Sequence, residues 1–504
     1  MKNRNLYIYI LLLAGIVILL NVLSGRYFMR ADFTSDNRYT MSDATKELVR
    51  SLEDPVTVTA YFTKDLPPAI SNVRNEFKDL LIEYSNLSRG NVVYEFVSPN
   101  DEPELEQELA QKGIAPRMLN VREKDQNVQK TVYLSAVVQY GDNEEVLPLI
   151  LPGTSMEYDL TTAIKKLTLD EKPYVGFIQG HGEPATNDFM QVVKSLDVLY
   201  NVEGVELTDT VKLEKYEALA WVGPTDSIPA YHFSMIEDYM DNGGNLLVSI
   251  NRVDGNLKTS KGEVLNTGLE SWLLERGVEV EDAFVVDNSS ASVNVVQQQG
   301  PFKFQTQIPF PFLPMLTNFA DHPVSKGLET VVMRFASPVN FTGDSTVKAT
   351  PLALTSDLSG TVNAPLYFNI QKKWNESDFN RSEMPVAYAL EGKINNYANG
   401  RMIVIGDADF ALNGSGQQAQ QVNEDNVNLM VNSIDWLADD TGLIDLRTKG
   451  VTNRPLEQID EGRKTFLKYL NFILPMLLII FYGIFRHQRN RLRRIKRMQN
   501  GYVK

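Results

Sequence analysis

Two apolar stretches, one at each end, constrain this chain before anything between them is read. Leu6 to Leu23 is 18 residues long and apolar but for Tyr7, Tyr9 and Asn21, with Lys2 and Arg4 ahead of it. As a helix rising 1.5 Å per residue it is about 27 Å long, close to the hydrocarbon thickness of a bilayer. A cleaved signal peptide has a shorter apolar core, of about 7 to 15 residues, and "LNVLSGRYF" makes a weak cleavage site. The expectation is an uncleaved transmembrane anchor over 1–25.

The other end repeats the pattern. Tyr469 to Phe485 is apolar apart from Asn471, with Pro475 inside it, and "RHQRNRLRRIKRMQNGYVK" follows with eight Lys or Arg and no acid. A flank this basic stays cytoplasmic. The expectation is a second transmembrane helix at 466–486 and a basic cytoplasmic tail at 487–504, behind a juxtamembrane linker at 441–465. Both termini then lie in the cytoplasm, and everything between roughly 25 and 465 lies outside it. The net charge is −15, and the ten Lys and Arg of the two ends leave about −25 on the rest. Such a surface does not bind nucleic acid or anionic lipid non-specifically; the basic tail has the charge of a nucleic-acid patch, but beside a membrane helix it reads as an anchor and a contact to membrane lipid.

Cysteine is absent. That removes thiol nucleophiles, redox pairs and Cys-type zinc sites, and leaves the exported body to be held by its cores alone. In 26–170 strand and helix patterns alternate. "VTVTAYF" reads as a strand, and Val73, Phe77, Leu80, Leu81 and Tyr84 recur at helical spacing. The order β-α-β-α-β-β-β-α resembles a thioredoxin-like layout.

A second unit, at 171–440, carries four apolar runs that end in turn residues: "YVGFIQG", "ALAWVG", "NLLVSIN" and "MIVIGD". Helical patterns lie between them, the signature of a parallel α/β sheet. The closing helix "NVNLMVNSIDWLADD" has an apolar stripe from Val427 to Leu437, with Asn428, Asn432 and Asp435 on its other face. About 290–400 is a β-rich insertion, in which "QQQGPFKFQTQIPFPFLP" reads as an extended insertion or loop. Its phenylalanines either form a docking surface or pack onto the sheet.

In parallel α/β sheets ligands bind at the C-terminal strand ends. His181 and Glu183 in "GHGEP" follow one strand, Asn251 and Arg252 another, and Asp407 and Asp409 in "IGDADF" a third. These six are the ligand- or partner-binding candidates. His, Glu and Asp converging on one crevice would suit acid–base chemistry or a metal. The competing reading is structural: glycines on both sides of His181 suit a tight turn, and Asp after a strand caps the next helix. His322 in "DHPV" reads as a loop residue, and His487 lies in the tail. No G-x-x-x-x-G-K-[ST], G-x-S-x-G or H-E-x-x-H occurs, so no ATP site is present. No catalytic residue, metal ligand or cofactor is assigned.

The N-terminal anchor, "DFTSDNRYTMSDATKELVRSLEDPVTVTAYF", "GFIQGHGEP", "IGDADF" and the second anchor with its basic tail together resemble GldG proteins. These are gliding-motility-associated auxiliary subunits of ABC transporters, often described as substrate-binding. The resemblance runs through the whole chain in order. It implies a central domain similar to one of intraflagellar-transport proteins and to the class I glutamine amidotransferase-like fold, without the cysteine nucleophile that amidotransferases need. It also implies a non-enzymatic subunit in the bacterial inner membrane, its bulk periplasmic and both termini cytoplasmic, working with a separate permease and a separate ATPase, its ligand unspecified. Two alternatives stay open: a membrane-tethered envelope hydrolase using His181, Glu183, Asp407 and Asp409, and a pure envelope scaffold.

Overall fold

The structure, a computed structural model, describes residues 40–438 and 461–501 with Leu12 and Gly15, except 65, 67–69, 124–125, 151–155, 170, 300–301, 398 and 417–418. The anchor expected over 1–25 and most of the expected linker lie outside the described residues. The chain divides into two compact units, Met1–Val451 and Thr452–Lys504.

From residue 40 on, the first described helix of this unit is α1 (Asp43–Arg50), whose N-cap Ser42 accepts the Thr45 N–H through its side chain. Then come β1 (Val56–Phe62), α2 (Ser71–Leu87), β2 (Val92–Val97), α3 (Pro103–Gln111), β3 (Arg117–Glu123), β4 (Gln126–Val132), β5 (Leu134–Tyr140), β6 (Asn143–Leu147) and α4 (Met156–Thr168). The sheet order is β2-β1-β5-β6. β2 runs parallel to β1, and β5 antiparallel to both β1 and β6. The period-2 run of β1 buries Val56, Val58, Ala60 and Phe62 against Val73, Phe77, Leu81 and Tyr84 of α2. β3 and β4 stand outside this sheet as a hairpin of their own. β4 was not read from the sequence, where its end merged with β5 into one apolar run.

The chain continues with β7 (Tyr174–Gln179), α5 (Met190–Leu196), β8 (Asn201–Glu206), β9 (Tyr216–Val222), α6 (Ala230–Asp241), β10 (Asn245–Ser249), β11 (Val253–Asn256), β12 (Lys261–Val264), α7 (Leu269–Glu275), β13 (Val278–Val280) and β14 (Ala283–Asp287). Then follow β15 (Ser290–Gln299), β16 (Phe302–Leu316), β17 (Asn318–Phe319), β18 (Val331–Val332), β19 (Val339–Phe341), β20 (Val347–Leu354), β21 (Ser359–Asn363), β22 (Leu366–Tyr367), β23 (Pro385–Gly392), β24 (Gly400–Ile405) and α8 (Glu424–Ala438).

The main sheet has eight strands in the order β17-β20-β23-β24-β10-β9-β7-β8. β8, β7, β9, β10 and β24 are mutually parallel, as the apolar runs require. Both faces are covered, so alternate residues of one strand enter different cores. Leu247, Ala220 and Ile403 pack with α5 and α8, while Leu246, Leu219 and Met402 pack with α6 and α7. Burial on both faces is what a parallel sheet needs. β8 and β9 flank β7 on opposite sides, so the strand order reverses at β7. The carboxyl ends of β7 and β9 form the topological switch point, where open α/β sheets hold ligands.

Two sequence expectations change here. The Gln- and Pro-rich stretch is a hairpin, β15 against β16, and not a loop. Its prolines are accommodated because Ser290 pairs with Pro314 and Ser292 with Pro309, a local irregularity that takes up residues lacking an N–H. Phe310 and Phe312 are buried with Phe284, Phe335 and Phe368, so these two phenylalanines are core. The polar face of α8 is covered as well. Asn432 is 2% exposed and donates to the Val324 carbonyl at 3.0 Å, and Asn426 bridges Val332 and Phe410.

The described residues of the second unit form one helix, α9 (Glu461–Gly501), with Pro475 inside it. At 41 residues it is about 60 Å long. Among the described residues it is the one helix long and apolar enough to cross a membrane. The basic run continues this helix through Gly501.

Candidate functional site

The site grows from the turn after β7. Gly180 and Gly182 take φ of 112° and 83°, the left-handed side that β-carbons disfavour. A Cβ on Gly182 would come 2.1 Å from Thr225 Oγ1. The turn points the His181 carbonyl at the loop after β9, where it accepts the Thr225 and Asp226 N–H groups at 2.9 and 2.8 Å. Glu183 folds back: its Oε2 accepts the His181 backbone N–H at 2.6 Å, and its Oε1 lies 2.9 Å from His181 Nδ1 and accepts Trp221 Nε1–H at 2.8 Å. His181 Nε2 in turn lies 2.7 Å from Nδ1 of His232, in the first turn of α6.

Both partners are deeply buried, with the His181 and Glu183 side chains 3% and 1% exposed. Burial works against charge on Glu183, yet the bonds from His181 and Trp221 hold its carboxyl below the ordinary value. An ionised Glu183 only accepts, so His181 Nδ1 must donate to it. With His181 neutral, Nε2 is then a lone pair and His232 Nδ1–H donates to it. That leaves His232 Nε2 as a lone pair, and this buried atom has no hydrogen-bond partner among the described residues. Burial and the neighbouring His181 lower the His232 pKa, against a backbone contact with Leu207 that raises it.

The second cluster lies at the ends of β10 and β24. Asn251 Oδ1 accepts the Ala408 N–H at 2.7 Å, and its side chain also bonds Asp409. Asp407 is fully buried; one carboxylate oxygen accepts the Asp409 N–H at 2.8 Å and the other the Arg334 N–H. Burial and the neighbouring Asp409 carboxylate push the Asp407 carboxyl up to about 7, and burial raises Asp409 too.

The clusters touch without merging. Gly223 lies between them, and a Cβ there would meet Ala408 Cβ at 3.2 Å and Pro184 Cδ at 3.5 Å. The single His, Glu and Asp crevice expected from the sequence is therefore two separate networks. Arg252 belongs to neither: its Nη1 donates to the Leu265 carbonyl and, at 2.8 Å, to Asn266 Oδ1. Among the described residues no three His, Cys, Asp or Glu side chains are grouped to hold a metal. His322 lies in the loop between β17 and β18, as the sequence reads, and is buried there against Trp436, ring centres 5.1 Å apart. His232, Trp221 and Arg334 were not picked out from the sequence. Scarcity was the one available signal: two of the four histidines meet here.

Comparison with known proteins places the fold in a family. Residues 172–439, more than half of the chain, match the family described as "ABC-type uncharacterized transport system". The chain belongs to that family. Residues 35–139 match a domain of unknown function. An uncharacterized protein of Borreliella burgdorferi is 22% identical over 494 residues, 92% of this chain and 93% of that one. Among solved structures, the N-terminal domain of mmIFT52 is 18% identical, with TM-score 0.35, covering 52% of this chain and 96% of its own. A ThuA-like protein from Parabacteroides merdae is 14% identical, with TM-score 0.31, covering 57% and 95%.

Proposed function

We propose that this family member is a non-enzymatic, membrane-anchored accessory subunit of an ABC-type transport complex, its body exported and both ends cytoplasmic. The observation that carries the reading is α9: an apolar helix of membrane-spanning length, continued by a dense basic run, on a chain with no phosphate-binding loop of its own. A separate permease and a separate ATPase then supply the channel and the hydrolysis. The strand order β2-β1-β5-β6 supports the thioredoxin-like reading of the first domain, and the reversal of strand order at β7 the amidotransferase-like reading of the second. Membership among gliding-motility auxiliaries rests on the sequence resemblance.

In this reading the sheet edge is a recognition surface and not a reaction centre. His181, Glu183 and Trp221 bond one another and His181 bonds His232 across the switch point, and the loop holding Thr225 closes over His181. Asn251, Asp407 and Asp409 brace the neighbouring strand ends. The test is deletion of 466–504. Loss of co-assembly with membrane components, with the body still folded, is the expected result; unchanged assembly contradicts it.

A further inference from the structure

We propose that the His181–His232 pair is a binding site for a single proton, which enters at the open nitrogen of His232 and reverses the tautomer of that ring. The observation that carries this is His232 Nε2, buried and without a hydrogen-bond partner among the described residues, while the other three ring nitrogens of the pair are engaged. The two residues are 2% and 9% exposed. A buried lone pair that faces no donor costs free energy until something fills it.

One added proton leaves no ring nitrogen idle. It binds His232 Nε2, which then donates toward the Leu207 carbonyl, the backbone group whose contact favours the charged form of this ring. The proton on His232 Nδ1 passes along the 2.7 Å contact to His181 Nε2. His181 then carries protons on both nitrogens, and its Nδ1 lies 2.9 Å from the Glu183 carboxylate. His232 ends neutral, with Nδ1 accepting and Nε2 donating. One proton enters, one is handed on, and the net gain is a single charge on His181.

The uptake stops at one because two charged imidazoles at this separation repel. The charge rests on His181 because the carboxylate stands beside that ring, whereas burial and His181 itself oppose a charge on His232. Around the pair stand Glu183 in the turn after β7, Asp209 in the loop after β8, and Asp226 in the loop after β9, its Oδ2 3.3 Å from where a Cβ on Gly182 would sit. All three carboxylates favour a cation. β9 adds Trp221, which donates to Glu183, and α6 adds the Tyr231 ring, its centre 4.0 Å from that of His232. Acid therefore joins α6 to the end of β8 by a further bond and turns the His181–Glu183 contact into an ion pair. The sheet edge becomes responsive to pH on the exported side, a sense that rests on the transport reading; the proton site itself does not.

The test is magic-angle-spinning NMR of the full chain in lipid, labelled with nitrogen-15 histidine, between about pH 8 and 5. His322→Gln/His487→Gln leaves the pair as the remaining two of the four histidines. Two neutral rings, both protonated on Nδ1, are expected at the alkaline end. One doubly protonated ring and one ring protonated on Nε2 alone are expected at the acid end. Glu183→Gln keeps an acceptor but removes the charge, and is expected to weaken proton uptake about tenfold or more, a midpoint lower by about one pH unit. His232 protonated on Nδ1 at every pH overturns the proposal, as do two rings that become doubly protonated together. An unchanged midpoint in Glu183→Gln overturns it as well. Should that variant not fold, the tautomer of His232 in the parent chain still decides. The assay needs neither permease nor ATPase, so its failure is separable from failure of the transport reading.

Discussion

His181 and His232, 51 residues apart, share one hydrogen bond: Nε2 of the first lies 2.7 Å from Nδ1 of the second. The bond ties the turn after β7 to the first turn of α6 across the switch point, and Glu183 fixes its direction. Removing the anchor of this chain strands two buried imidazoles and the Trp221 N–H. Glu183→Ala is expected to cost about 3–5 kcal/mol, as for other broken buried polar pairs. His232→Ala is expected to cost less, about 1–3 kcal/mol, because it breaks the one bond to His181 where Glu183→Ala breaks three. Chemical denaturation of both variants checks the order.

Gly182 and Thr225 provide a steric test of the same turn. Gly182→Ala combines a φ of 83° with a Cβ 2.1 Å from Thr225 Oγ1. A loss of about 2–4 kcal/mol is expected. Adding Thr225→Ala removes the clash and leaves the strain, so the double variant recovers part of the loss, with a coupling above about 0.5 kcal/mol. Strict additivity in thermal melts contradicts the geometry.

Asp407 makes a prediction in pH. Its folded pKa, about 7, lies above the unfolded carboxylate value, so the folded state binds the extra proton between the two. The stability that Asp407 contributes is therefore complete below about pH 4 and declines as pH rises toward 7. Asp407→Asn cannot ionise, and its stability relative to the parent is expected to improve by at least about 1 kcal/mol from pH 4.5 to 7.5. A difference independent of pH contradicts the assignment.

His322 titrates in the opposite sense. Burial lowers its pKa, and its Nδ1 accepts the Val324 N–H at 3.3 Å, so the folded state prefers the neutral ring. The unfolded chain binds the proton first, and stability falls as pH drops below about 6.5. His322→Gln is expected to flatten the acid limb of a stability profile measured from pH 7.5 to 5, an outcome that scans in matched buffers decide.

Much of the parallel sheet was legible because its strands are apolar runs closed by glycine, asparagine or aspartate, as in "YVGFIQG" and "MIVIGD". The candidate loops were legible for the same reason. Their grouping was not. Whether Asp407 meets His181 depends on Gly223, Pro184 and Ala408 packing between them, a matter of tertiary contact that no spacing in the chain encodes. His232 sat inside a helical pattern, and its part in the site follows from how α6 lies on the sheet. The β15–β16 hairpin was missed because Gln and Pro weaken strand propensity, while Phe310 and Phe312 gain more from the aromatic core than those neighbours lose.

The measurement that bears most directly on the account is purification of the tagged full chain in mild detergent, with every co-purifying protein identified and quantified. A membrane permease and an ATPase in fixed stoichiometry with the chain are the predicted result. The chain recovered alone, or with soluble factors and neither of those components, contradicts an accessory role in a transport complex.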